Sequence, residues 1–147
     1  GESSDAHHIS APHPDGIGAQ TAMASALAMA GVSAAEVGHV NAHGTGTVLN
    51  DQAEARAIEA VLGREVPVVS TKGYCGHTLG AAGAIEAVLT ALALEVGWIP
   101  ASVGAGPLDA SLPIHVAQSR LTVKARYALS NSLAFGGNNT SVLLGAP

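Results

Sequence analysis

Aromatic residues are almost missing from this sequence, which has one Trp, one Phe and two Tyr in 147 residues. A core must therefore be built from Ala, Gly and Val, and with 48% hydrophobic residues there is enough apolar side chain to build one. That composition belongs to a folded domain, not to a disordered chain. Charge is scarce as well. Only 12% of residues are charged, the formal net charge is −5 and no lysine-rich run exists, which argues against nucleic acid as a partner. A single cysteine excludes an intramolecular disulfide framework. Apolar runs are interrupted by Gly, Pro or charge short of the ~20 residues a membrane helix needs. No signal peptide is visible, so a soluble, cytoplasmic chain with no membrane partner is expected. An initiating Met is lacking too: the chain starts abruptly at the polar, turn-like Gly1-Glu2-Ser3-Ser4-Asp5, as a fragment would. Neither an internal repeat nor an interdomain linker is evident, so residues 1–147 are expected to form one domain.

What the sequence does have is glycine placed after short apolar runs. Residues 66–69 read as a buried strand, Ser70-Thr71-Lys72-Gly73-Tyr74-Cys75-Gly76-His77 as a loop, and residues 79–96 as one long apolar helix. Strand, glycine-bearing loop, helix is the order in which α/β proteins display functional groups at the carboxyl edge of a sheet. Small residues at 80–84 let the helix lie close to its neighbours, and the free N–H groups of its first turn favour negative charge nearby. The same order occurs earlier, with a strand over 37–42, the loop Asn41-Ala42-His43-Gly44-Thr45-Gly46-Thr47, and a helix from about Asp51 to Leu62 stopped by Gly63.

The remaining segments fill out an α/β pattern. Residues 1–16 read as loop, and their His7, His8 and His13 lack carboxylate or cysteine companions at ligand spacing, so solvated histidines are expected and no metal site. Residues 17–30 predict a helix ending at Gly31, after which Ser33 caps a short turn. A Gly-, Pro- and Ser-rich passage running to Pro113 reads as surface loop, followed by a short edge strand over 114–117. Strands over 125–131 and 140–144 flank a third glycine-rich loop, Ser132-Leu133-Ala134-Phe135-Gly136-Gly137-Asn138-Asn139. This spacing predicts a sheet covered by helices. Nucleotide phosphates are not indicated, because no Gly-Lys-Ser/Thr loop and no GxGxxG opening a helix is present.

Three motifs then fall in order. Val40-Asn41-Ala42-His43-Gly44-Thr45-Gly46-Thr47, Ser70-Thr71-Lys72 with Gly76-His77 and Gly80-Ala81-Ala82-Gly83, and Asn131-Ser132 with Phe135-Gly136-Gly137 resemble the β-ketoacyl-acyl-carrier-protein synthases. These are the condensing enzymes of fatty-acid and polyketide synthesis. The resemblance covers nearly the whole chain but only the C-terminal part of such an enzyme. It implies the C-terminal half of a thiolase-like α/β fold, a mixed sheet of about five strands covered by helices, with the strand expected before Gly1 missing. In that family the nucleophilic cysteine lies in the N-terminal half, so the chain alone is expected to be inactive. The resemblance also implies acyl carrier protein with phosphopantetheine-linked acyl and malonyl groups, the N-terminal half and a homo-oligomer as partners, and no cofactor.

By the same resemblance, His43 and His77 match the two histidines that donate N–H groups to the malonyl thioester oxygen as decarboxylation places negative charge on it. Lys72 and Glu86 match a lysine and a glutamate expected to form a buried pair that shapes the local field. Thr45 and Thr47 match hydroxyls that bind the phosphopantetheine arm, and Phe135 matches a gate at the acyl pocket. Gly136 and Gly137 let the gate loop approach substrate closely. Leu133, Ala134 and Asn138 depart from the pattern of the fatty-acid branch. Cys75 is read as a small buried hydrophobe without a catalytic role. Two alternatives stand beside this reading. One is a non-catalytic acyl- or pantetheine-binding or subunit-interaction module; the other is a thiolase, disfavoured because residues 76–147 contain no cysteine.

Overall fold

A computed structural model describes residues 1–146. The elements follow as β1 (Glu2–Ser4), α1 (Ile17–Ala30), β2 (Val37–Asn41), α2 (Val48–Leu62), β3 (Pro67–Val69), α3 (Lys72–Cys75), α4 (Ala82–Val96), β4 (Trp98–Ile99), β5 (His115–Val116), β6 (Leu121–Thr122), β7 (Tyr127–Ala134) and β8 (Asn138–Gly145). Six strands form one mixed sheet in the order β1-β8-β7-β2-β3-β5. The β7-β2-β3-β5 run is parallel, while β8 pairs antiparallel with both β7 and β1. Parallel neighbours need crossovers, and α2, α4 and the 100–114 passage supply them.

Helices cover both faces. Met23, Ala26 and Leu27 of α1 and Ala57 and Ile58 of α2 pack on Val40, Val68 and Leu129 of the sheet. On the other face Ala93 of α4 joins Val69, Ile99, Ala117 and Val123. Fully parallel strands sandwiched this way read as short β-branched runs, which is why residues 66–69 were legible. A bulge between the pairs Val37–Tyr127 and His39–Ala128 turns Val37 into the α1–α2 core. His39 and Asn41 then share the α4 face, and both side chains are completely enclosed.

Four features differ from the sequence reading. Residues 2–4 form the edge strand β1 where loop was expected, because Glu2, Ser3 and Ser4 pair with Thr140, Asn139 and Asn138. The main sheet therefore has six strands, not about five. The third glycine-rich loop shrinks to a one-turn link at Phe135–Gly137, since both flanking strands extend to meet it. Trp98–Ile99 and Leu121–Thr122 pair as a separate two-stranded ribbon. Leu79–Val96 is long and apolar enough to cross a membrane by length and composition, with mean hydropathy 1.7. Here one face packs on β7 and β8 and buries the charged Glu86, while only 28% of the stretch is buried.

Candidate active site

Because β2 and β3 are parallel neighbours, their carboxyl ends lie side by side and the loops that follow emerge together. The Ala42 N–H donates to Val69 O at 2.8 Å, extending the ladder one step into both loops. Asn41 fastens them further: its Nδ2 reaches Glu86 O and Thr90 Oγ1, both at 3.2 Å, and its Oδ1 accepts from the Thr71 N–H at 3.4 Å. Gly73 is required where the loop after β3 passes against the 100–114 passage, since a Cβ there would stand 2.2 Å from Val103 O.

This convergence assembles a cluster that the sequence spreads over more than forty residues. Lys72 is ion-paired with Glu86, the two side chains being 6% and 2% exposed, and its Nζ lies 3.3 Å from His43 Nδ1. The His43 and His77 rings meet edge-on, with centroids 5.3 Å apart and planes at 83°. An ammonium has donors only, so beside Lys72 the Nδ1 of His43 accepts and the ring proton sits on Nε2. In His77 the Nδ1 accepts the Leu79 N–H at 3.1 Å, which again leaves the proton on Nε2. The hydrogen-bond network thus assigns an Nε2–H donor to each ring.

Electrostatics hold His43 in that form. Burial, followed by the charges of Lys72 and His77, lowers its pKa from 6.5 to about 3, so the imidazole is neutral at any cellular pH. Burial pushes the Glu86 carboxyl upward, against the downward pull of the Lys72 ion pair. Its Oε2 has no hydrogen-bond partner among the described residues.

Glu54 was missed by the sequence reading. Its Oε1 accepts the His43 N–H at 2.8 Å and its Oε2 the Gly44 N–H at 2.9 Å, with Asn131 Nδ2 at 3.3 Å from Oε1. Burial raises its carboxyl, opposed by these donors. The available signal was a lone acid between Ala53 and Ala55 on the buried stripe of α2. A carboxylate there has no reason to be enclosed unless it holds donors from elsewhere.

The other expected residues are placed as follows. Thr45 and Thr47 share a hydroxyl hydrogen bond at 2.9 Å on the turn before α2. Phe135 stands at the tip of the β7–β8 link and is 80% exposed, with Gly136 and Gly137 at φ 82° and 77°. A cavity of about 550 Å³ takes Thr45, Asp51, Glu54, Ser70, Lys72 and His77 into its wall, but not His43, Glu86, Thr47 or the Phe135–Gly137 link. Cys75 is exposed, correcting the expectation of a buried thiol: α3 is one turn long and its carboxyl end faces outward. His7 and His13 approach with ring centroids 5.0 Å apart, yet the His13 Nδ1 accepts the Asp15 N–H. No group of three or more metal-ligating side chains assembles among the described residues.

Comparison with known proteins agrees with the motifs. Residues 1–105 match the family described as Beta-ketoacyl synthase, C-terminal domain. The chain is 41% identical over 145 residues to the chloroplastic 3-oxoacyl-acyl-carrier-protein synthase II of Arabidopsis thaliana, covering 95% of this chain and 26% of that protein. Among solved structures it is similar to the ketosynthase ApeO in complex with its chain length factor ApeC from Xenorhabdus doucetiae, at 49% identity and TM-score 0.94. That match covers all of this chain and 38% of the other. A type II PKS acyl-carrier protein in complex with its ketosynthase superposes with TM-score 0.94 at 28% identity, over 99% of this chain and 37% of that one. The chain thus spans between a quarter and two fifths of these relatives. On its motifs, its thiolase-like α/β fold and these matches, the chain belongs to the beta-ketoacyl synthase family, whose C-terminal domain it represents.

Proposed function

We propose that residues 1–147 form one domain of a larger β-ketoacyl-acyl-carrier-protein synthase and supply the part of its active site that activates malonyl thioester. The observation that carries this reading is the pair of edge-on imidazoles, each with its proton assigned to Nε2. When a malonyl thioester loses carbon dioxide, the electron pair of the broken bond moves toward the thioester oxygen. Fixed N–H donors at that oxygen stabilise the resulting enolate, each worth about 3 kcal/mol. His43 and His77 are those donors. Burial, reinforced by Lys72, keeps His43 neutral, and Lys72, paired with Glu86, fixes its tautomer, so the donor geometry is set before substrate arrives.

Thr45 and Thr47 hydrogen-bond the phosphopantetheine arm of acyl carrier protein, and Phe135 with Gly136 and Gly137 gates the acyl chain. The nucleophilic cysteine lies in the N-terminal half, so this chain alone does not condense. Val88, Leu92 and Val96 of α4 recur every four residues and are exposed, which supports an apolar face covered by that half. The full protein works as a homo-oligomer or with a paired subunit in the soluble cytoplasm. Similarity at 49% identity to a ketosynthase in complex with its chain length factor supports including the paired arrangement.

The test is decarboxylation of malonyl-acyl carrier protein by the full-length protein. His43→Ala and His77→Ala are each expected to lower kcat about 10²- to 10³-fold. If the double variant decarboxylates at the unsubstituted rate, the assignment fails.

A further inference from the structure

Between the histidine loop and the lysine loop the backbone ladder stops at Ala42 and Val69, yet the two loops stay in register for two more residues. Ser70 accounts for that. Its Oγ donates to Gly44 O at 2.9 Å, while its backbone N–H donates to Ser102 Oγ at 3.1 Å. Ser102 is buried, and its own N–H donates to Ala117 O at 2.7 Å. Gly44 is therefore held at both ends, its carbonyl by Ser70 and its N–H by Glu54. A side chain at Gly44 would bring its Cβ within 2.6 Å of Ser70 Cβ, so the loops lie as close as two backbones allow.

Resting on the condensing-enzyme reading, we propose that Ser70, seated on Ser102, is a positioning residue that sets the depth of His43 against Lys72 and His77. Gly44 has φ +43° and no side chain, so little besides these hydrogen bonds restrains it. Without the Ser70 hydroxyl its carbonyl turns toward the cavity, where water replaces the lost partner. The Gly44–Thr45 peptide that carries this carbonyl turns with it, and the His43–Gly44 peptide is then restrained by the Glu54 carboxylate alone. His43 sits 3.3 Å from Lys72, and a displacement of a few tenths of an ångström loosens both that contact and the edge-on arrangement with His77. Ser70 needs no contact with substrate to act this way.

In the full-length protein, Ser70→Ala is expected to lower kcat for malonyl-acyl carrier protein decarboxylation about 10- to 100-fold, with KM changed less than about twofold. Ser70→Thr keeps the hydroxyl and restores most of the rate. A second readout needs no turnover. Imidazole NMR titration of histidine-labelled protein should show the His43 pKa rising from about 3 as its ring loses burial. Ser102→Ala, which removes only the seat of Ser70, shifts both readouts in the same direction and replaces Ser70→Ala if that variant does not fold. Unchanged kcat in a folded Ser70→Ala protein, a change in KM alone, or an unmoved His43 titration overturns the proposal. If the unsubstituted protein does not decarboxylate, the condensing-enzyme reading fails by itself. The titration then decides the brace alone: a moved His43 supports it and an unmoved one refutes it.

Discussion

Acid should unfold this domain through His39, a residue that takes no part in the candidate chemistry. Its ring is completely enclosed on the α4 face of β2, and neither nitrogen has a partner among the described residues. Burial lowers its pKa from 6.5 to about 4. Between those values the unfolded chain binds a proton that the folded chain refuses, so stability falls as pH falls through this window. At about 1.4 kcal/mol per pH unit, the drop amounts to about 3 kcal/mol, a large part of the 5–15 kcal/mol typical of a domain. His39→Leu keeps roughly the same volume and removes the titration. Urea unfolding followed by circular dichroism at pH 7, 5.5 and 4 should show the unsubstituted chain losing about 3 kcal/mol more than His39→Leu over that span. At pH 7 the variant should be no less stable, because it no longer buries two unpartnered nitrogens. Parallel pH slopes for the two proteins would refute the reasoning.

Further outcomes follow from the same geometry. Glu54→Gln turns an amide donor toward the N–H of His43 or Gly44, and should lower the stability of the domain by about 1–3 kcal/mol, read from its urea midpoint. Gly73→Ala forces a Cβ to within 2.2 Å of Val103 O; the melting temperature should fall by several degrees, consistent with about 1–3 kcal/mol of backbone strain. Leu92→Lys with Val88→Lys on α4 should reduce self-association of the isolated chain in light scattering at high concentration, and an unaltered mass distribution would count against a covering partner there. In a pH–rate profile of decarboxylation, no acidic limb should trace to His43 above about pH 4, because its pKa lies near 3; a limb near 6 abolished by His43→Asn would contradict the buried, neutral ring.

The helices and parallel strands could be read from the sequence because their signals are local. Residues 17–30 were bounded by Gly31, and α1 closes there with Gly31 in the left-handed conformation. Residues 66–69 form a β-branched run of the kind that both-side burial demands. Strand β1 was not legible: Glu2-Ser3-Ser4 has no apolar alternation, and it is a strand only because β8 offers it a free edge. The ribbon of Trp98–Ile99 and Leu121–Thr122 is equally non-local, joining residues separated by a long loop.

The site divides along the same line. His43, Lys72 and His77 stood out because each sits in a motif that resembles the family's, and Glu86 because it lies on the helix that follows the second of those motifs. Their meeting was invisible, since it depends on β2 and β3 being parallel neighbours in the sheet. Glu54 went unread because it resembles an ordinary helix acid, and Ser70, though part of a quoted motif, was given no role because it resembles an ordinary loop serine. Only the fold shows that one holds the amide of His43 and the other the carbonyl of Gly44. By itself the sequence determined the helices and the parallel strands, the family and the residue types of the cluster, all of which are written in neighbouring positions. Which groups share a proton, which carboxylate is enclosed and which histidine is neutral were decided by tertiary structure alone, because hydrogen bonding and desolvation depend on distances between segments remote in the chain.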